Sequence, residues 1–226
     1  MNKFKNYFTI FLPIVILVAM IAYFVSTDQS PKLYKKLPIA GNHRLDTISL
    51  ENGGVRIDTL FHAIPDFSFT NQQGQLINQS IVEGKVYVCD YFFSTCKSIC
   101  PVMSDQLERV AAAFKNEKEF MILSHTVDPE TDTPEVLKAY AEKHKAQAEQ
   151  WLFLTGEKEP LYNLARQGYL LDARESFGGD EDFIHTQNFA LIDKRRRIRG
   201  FYDGTSTKQV DQLIKDIRFL LQENYK

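Results

Sequence analysis

Residues 85–101 read KVYVCDYFFSTCKSICP, and this stretch decides the fold because it joins a buried strand to the start of a helix. Residues 85–93 are apolar on both alternating faces except for one carboxylate, which is typical of a central strand covered on both sides. Pro101 follows the second cysteine, and proline favours the first position of a helix. Apolar side chains then recur at helical spacing, at Met103, Leu107, Val110, Ala111 and Phe114. The stretch therefore predicts a strand, a short turn carrying Cys96 and Cys100, and a helix.

Further strand and helix patterns alternate on both sides of this stretch. Strand patterns lie at residues 120–127 and 151–154, and helix patterns begin at Thr133 and cover residues 159–167. The remaining patterns are a hairpin over 67–77, a hairpin over 187–202 around a basic turn, and a last amphipathic helix over 210–221. Strands that alternate with helices predict an α/β fold in which helices cover both faces of a sheet.

The composition excludes several classes of protein. The chain has 226 residues with 27 Lys and Arg against 29 Asp and Glu, a formal net charge of −2. A balanced charge argues against a nucleic-acid partner, since such domains are normally strongly basic. Hydrophobic residues at 44% and charged residues at 25% are globular values, and three cysteines are too few for a small disulfide scaffold.

The N-terminal region predicts a membrane anchor. Residues 6–27 contain no charged side chain, and roughly 20 apolar residues suffice to cross a bilayer as a helix. Lys3 and Lys5 precede this run and Asp28 follows it, so the positive-inside rule places the N-terminus in the cytoplasm. A cleaved signal peptide is disfavoured because the end of the run is bulky, and a lipoprotein would need a cysteine there. A retained single-pass helix is the favoured interpretation.

This anchor sets the domain organisation and the compartment. We predict a cytoplasmic tail at residues 1–5, the transmembrane anchor at 6–27, and an extracytoplasmic tether at 28–60 that ends in short strands. Residues 61–226 then form one domain of ordinary size on the extracytoplasmic side. The predicted location is a bacterial-type inner membrane.

Cys96 and Cys100 are the candidate reactive groups. They flank the start of a helix, whose free N–H groups favour thiolates, and Lys97 adds a positive charge between them. Three intervening residues widen the bite compared with a Cys-x-x-Cys dithiol, so the pair can hold one metal ion. Soft thiolates favour Cu(I), with Zn(II) second. The alternative is a structural disulfide of an extracellular domain.

A two-sulfur site needs a third ligand, and His185 is the candidate. It follows a long acidic loop and directly precedes a strand, so the loop can fold over the cysteine pair. His125 lies in a central strand and is either a second candidate or a core histidine. His144 lies on a helix face, and two other histidines, His43 and His62, lie in or near the tether.

Four other polar or reactive side chains have plainer interpretations. Cys89 in the central strand is predicted to be an inert buried thiol. Asp90, in the same apolar strand, needs a partner or a shifted pKa, and could lie beneath the metal site. Asp128 and Asp132 resemble an acid–base or metal pair, but a turn followed by a helix cap is favoured.

Four ordered motifs carry a resemblance to the SCO/SenC family. They are Phe93-Ser-Thr-Cys-x-x-x-Cys-Pro101, Val127-Asp-Pro-Glu-Thr-Asp-Thr-Pro134, Leu154-Thr-Gly156, and His185 before Ala190-Leu-Ile-Asp193. The resemblance implies a membrane-anchored protein with a thioredoxin-like sheet and flanking helices that takes part in cytochrome c oxidase assembly. Two positions depart from the family pattern, since Lys97-Ser98 replaces Pro-Asp and Ile184 replaces an aspartate.

The family resemblance also implies a ligand set and a role. Copper, as Cu(I) with Cu(II) left open, would be held by Cys96, Cys100 and His185. The protein would deliver copper to the CuA centre of cytochrome c oxidase subunit II, or reduce the cysteines of that centre, and would need an upstream copper donor or thiol reductant. The alternative function is an extracytoplasmic thiol-disulfide oxidoreductase that uses Cys96 and Cys100 as a redox-active pair without a metal. Whether the chain is an enzyme stays open at this point.

Overall fold

The computed structural model describes residues 36–49, 54–171 and 186–223. The strands in these ranges are β1 (His43–Ser49), β2 (Val55–Phe61), β3 (Ser68–Asn71), β4 (Leu76–Asn78), β5 (Val86–Phe92), β6 (Phe120–Thr126), β7 (Trp151–Thr155), β8 (Asn188–Ile192) and β9 (Ile198–Asp203). The α-helices are α1 (Ile99–Ala113), α2 (Pro134–Lys143), α3 (Lys158–Asn163) and α4 (Thr207–Gln222). None of the helices in these ranges is long and apolar enough to span a bilayer, and the predicted anchor at 6–27 lies outside them.

Strands β3 to β9 form one sheet of seven strands in the order β4-β3-β7-β6-β5-β8-β9. The three central strands, β7, β6 and β5, run parallel, and the strands on either side of them pair antiparallel. Every residue of β5 and β6 is buried, because their side chains are apolar on both faces and helices cover both faces. The predicted α/β architecture is confirmed.

The side chains of β5 alternate between two cores. Val88 and Phe92 pack in one core with apolar residues of α1, α2 and α4, whereas Cys89 and Tyr91 pack in the other with α3. Since successive side chains of a strand point to opposite faces, three helices cover one face of the sheet and α3 covers the other. The cysteine of β5 and Cys100 of α1 therefore belong to different cores.

Two helix boundaries differ from the sequence prediction. Helix α1 begins at Ile99 rather than at Pro101, so the proline occupies the third helical position, where its missing N–H costs no helical hydrogen bond. The helix predicted over 159–167 is α3 followed by a π-helical turn at Leu164–Gly168. The patterns therefore predicted both of these helices but not their ends, whereas the predicted start of α2 at Thr133-Pro134 is confirmed.

A buried ion network fastens the last hairpin to both ends of the domain. The guanidinium of Arg199 is buried and pairs with Asp193 at 2.9 Å and with Glu223 at 2.7 Å. It also donates to the backbone carbonyls of Leu37 and Pro38. This single side chain links β9, the end of α4 and the segment that enters the domain.

Candidate functional site

The cysteine pair lies where β5 gives way to α1. Strands β5 and β6 run parallel with Phe92 opposite Thr126, so the loops that follow them meet at one edge of the sheet. Open α/β sheets place their sites in this crevice. Cys96 lies in the turn and is partly exposed, whereas Cys100 lies in the first turn of α1 and is buried. Both thiols are free, which leaves them able to bind a metal or to form a disulfide.

The two thiols differ in acidity. Partial burial raises the pKa of Cys96, but the backbone N–H groups of Cys100 and Ser98 outweigh it and lower that pKa to about 7. Burial raises the pKa of Cys100 to about 12. The prediction that the helix start would activate both thiols is therefore wrong for Cys100. Cys96 is therefore the more acidic and more accessible of the two thiols.

Asp132 fixes the turn that carries Cys96. Its carboxylate is fully buried and accepts hydrogen bonds from the backbone N–H of Ser94 at 3.2 Å, from the Ser94 hydroxyl, and from the Thr126 hydroxyl at 2.5 Å. These bonds join the ends of β5 and β6 to the loop before α2. The predicted helix cap is made by Thr133, whose hydroxyl accepts from the N–H of Val136.

We call the Asp132 carboxylate with its three hydrogen bonds the Asp132 clamp. The sequence did not predict this clamp, because the partner Ser94 lies 38 residues away in the chain. The spacing of Asp132, Thr133 and Pro134 indicated only a cap for the helix that follows. The signal that remained was the hydroxyl of Ser94, two residues before Cys96, which needs a polar partner once the turn is partly buried.

Asp90 lies in β5 below the cysteine pair and has a polar partner. The Ser124 hydroxyl donates to its carboxylate at 2.5 Å, and the indole N–H of Trp151 donates to the Ser124 oxygen at 2.9 Å. Burial raises the pKa of Asp90 to about 7. A negative charge on Asp90 in turn helps to raise the pKa of Cys100, so the two groups are electrostatically coupled.

The described histidines lie in other surroundings. His125 is fully buried against the ring of Tyr91, with ring centroids 5.0 Å apart, and its Nδ1 lies 3.5 Å from the sulfur of Cys89. Burial lowers the pKa of His125 to about 3, so its ring is neutral. Because Cys89 belongs to the core opposite Cys100, His125 is a core histidine and Cys89 an inert thiol, as the sequence favoured.

His185 lies outside the described residues, so its approach to the cysteine pair stays a prediction. The described residues include one other group that could hold a metal, made of Asp105, Glu108 and His144. There the Nδ1 of His144 lies 2.8 Å from the Glu108 carboxylate, and this pair accounts for the contact without an ion.

Comparison with known proteins identifies relatives. A sequence model of the family described as SCO1/SenC matches residues 58–222. A SCO1/SenC family lipoprotein from Bacillus anthracis is 29% identical, with a TM-score of 0.62 over 71% of this chain and 96% of that chain. BsSco is 27% identical, with a TM-score of 0.62 over 72% of this chain and 95% of that chain.

BsSco is described as a member of the Sco family of cytochrome c oxidase assembly proteins and as having a disulfide switch. ScoI of Bradyrhizobium japonicum, with copper bound, shares the fold at 20% identity, with a TM-score of 0.56 over 70% of this chain and 99% of that chain. These likenesses confirm the predicted thioredoxin-like sheet with flanking helices.

Proposed function

The chain belongs to the SCO1/SenC family, and we propose that it handles copper during the assembly of cytochrome c oxidase. The observation that carries this proposal is the pair Cys96 and Cys100 at the junction of β5 and α1, within the region that matches the family. Copper is the cargo: it arrives from a donor and leaves for the oxidase. We propose subunit II and its CuA centre as the recipient.

Cys96, Cys100 and His185 are the proposed ligands. Two thiolates suit a soft ion such as Cu(I), and a copper-bound relative with the same fold supports this choice of metal. The lowered pKa of Cys96 makes its sulfur available as a thiolate near neutral pH. The buried Cys100 gives up its proton only with difficulty, so metal binding there must displace a proton.

The acidity difference also supports a second candidate function, thiol-disulfide exchange. An exposed thiolate attacks a partner disulfide, and the buried thiol then resolves the mixed disulfide. Cys96 and Cys100 have the acidities and exposures that these two steps need. Such exchange would reduce the cysteines of the CuA centre before copper enters. A disulfide switch described for BsSco supports this reading of the pair.

We propose that residues 6–27 anchor the chain in the membrane and that the domain from residue 61 faces the extracytoplasmic side, with 1–5 in the cytoplasm and 28–60 between them. The uncharged run and the flanking lysines support this arrangement. A relative described as a lipoprotein supports a domain held at the membrane surface.

Copper retention by variants tests the ligand set. The protein is loaded with Cu(I), and retained copper is measured against a chromophoric Cu(I) chelator. Cys96→Ser and Cys100→Ser are expected to lose stable binding, because a single sulfur is a poor cage for Cu(I). Cys89→Ala is the matched control, since that thiol packs in the other core, and it should retain copper. Full retention by both serine variants would contradict the proposed site.

His185→Ala separates the two functions. The variant keeps the dithiol, so it should still exchange with a disulfide while losing the nitrogen donor needed for stable Cu(II). The measurement is assembled CuA in a strain that carries only this variant, with His43→Ala as an exposed control. Loss of CuA with intact dithiol exchange supports copper transfer. Full assembly would contradict it and favour the reductase function.

A further inference from the structure

The hairpin formed by β1 and β2 has one face without charge. The register pairs Leu45 with Thr59 and Thr47 with Ile57, and directly paired residues share a face. Together with Val55 these side chains form what we call the uncharged face. The opposite face carries the charges of the hairpin, at Arg44, Asp46, Arg56 and Asp58. The hairpin is therefore amphipathic.

The uncharged face lies open to solvent. Leu45, Val55 and Ile57 are 69%, 63% and 65% exposed, more than the apolar residues Ile48 and Leu60 of the charged face at 39% and 42%. A two-stranded hairpin alone is marginally stable in water, so a surface that covers these apolar side chains would stabilise it.

The hairpin is fixed to the domain at its base. The N–H of Ala40 donates to the carbonyl of Ile198 at 2.8 Å, and the N–H of Ile64 donates to the carbonyl of Arg196 at 2.8 Å. The ring nitrogen Nε2 of His62 lies 2.7 Å from the carbonyl oxygen of Gly168. These contacts on both sides of the hairpin set its direction, so the uncharged face has a defined orientation on the domain.

We propose that the uncharged face lies on the surface of the lipid bilayer and so orients the domain on the membrane. This inference rests on the anchor at residues 6–27 proposed above. From Thr27 to His43 is 16 residues (43 − 27), which span at most about 55 Å when fully extended. The anchor thus keeps the hairpin close to the bilayer, and this high local concentration makes a weak contact effective.

The size of the face argues against a second copy of the chain as the occupant. Seven-residue strands are about 24 Å long, and two of them are about 10 Å wide, so the face offers about 250 Å² on each copy. A stable interface buries at least about 1,000 Å² in total. A bilayer has no such size requirement, because the anchor already supplies the association.

The test uses the full chain reconstituted into phosphatidylcholine vesicles whose acyl chains carry bromine just below the headgroups. Ile57→Trp places a fluorophore on the uncharged face, and Ile48→Trp places one on the charged face of the same hairpin. The native Trp151 is the only tryptophan of the chain and is 1% exposed, so its emission serves as an unquenched reference. Both substitutions are at exposed positions and should leave the fold, checked by circular dichroism, unchanged.

We expect bromine to remove most of the added emission in Ile57→Trp and little of it in Ile48→Trp. Equal quenching of both, or of neither, would overturn the proposal, as would dimerisation on sedimentation that protects the Ile57→Trp position. Flotation after an alkaline wash is measured first. A chain that does not float overturns the anchor and this proposal with it, whereas a chain that floats without quenching overturns the hairpin contact alone.

Discussion

Removal of the Asp132 carboxylate should both destabilise the domain and loosen the turn that carries Cys96. In Asp132→Ala three donors lose their acceptor: the N–H and the hydroxyl of Ser94, and the hydroxyl of Thr126. Ser94 is partly exposed, so water can replace part of its loss. Thr126 is fully buried, and its hydroxyl still accepts from the N–H of Asp128 but has no acceptor left for its own proton.

The magnitude follows from these environments. A hydrogen bond that water can replace contributes about 1 kcal/mol, and a buried donor left without an acceptor costs about 1–3 kcal/mol. We therefore expect Asp132→Ala to lose about 3 kcal/mol of unfolding free energy, which lowers the thermal midpoint by about 6–12 °C in a domain of this size. Asp132→Asn keeps one acceptor oxygen and should lose about 1 kcal/mol.

Thermal unfolding followed by circular dichroism gives the first measurement, and alkylation of Cys100 gives the second. Freeing the turn should expose the buried sulfur, so Cys100 should react faster in Asp132→Ala than in the unaltered protein well below the melting temperature. Glu130→Ala is the matched control, because this carboxylate lies exposed in the same loop. A midpoint for Asp132→Ala equal to that of Glu130→Ala would refute the role of the clamp.

Three further predictions follow from the buried and titrating groups. In a Cys89→Ala background, the alkylation rate of Cys96 should rise with pH, with a midpoint near pH 7, while Cys100 stays unreactive up to far higher pH. Mass spectrometry of the labelled chain measures both rates, and equal rates at the two thiols would contradict this prediction. Because the folded-state pKa of Asp90 is raised to about 7 from 3.8, the folded state binds the extra proton between these values and stability falls as pH rises through this window. Asp90→Asn should therefore be more stable than the unaltered protein by about 4 kcal/mol above about pH 8, with the difference lost below about pH 4; urea titrations that show no pH-dependent difference would rule this out. Arg199→Ala should destabilise the domain by about 2–3 kcal/mol, because Glu223 loses its charged partner and the carbonyls of Leu37 and Pro38 lose their donor, while Asp193 keeps Arg197 at 2.8 Å; an unchanged stability in the same titrations would contradict this.

The elements of the sheet were predictable because their signals are local. Strand β5 is apolar on both faces, and its sequence alone indicates a central position. The amphipathic spacing of α4 likewise predicted a helix that packs by one face. Helix ends were less predictable, as at Pro101, because several first-turn positions accept a proline equally well.

The residues that surround the cysteine site were only partly predictable. The sequence indicated that Asp90 needs a partner but not that Ser124 supplies it, since the pairing of β5 with β6 brings them together across 34 residues. The same pairing decides that His125 lies with Cys89, in the core away from Cys100. These contacts follow from the register of the sheet, which no local pattern encodes.

The sequence by itself determined the α/β class, the candidate pair Cys96 and Cys100, and the family resemblance, because each rests on short motifs or periodic patterns that are local in the chain. Only the tertiary structure decided which thiol is acidic. Acidity depends on how deeply each sulfur is buried and on the backbone N–H groups aimed at it, and packing sets both. The tertiary structure also decided two other features. It brings Asp132 within hydrogen-bond distance of Ser94, and it leaves the uncharged face of the β1–β2 hairpin exposed to solvent.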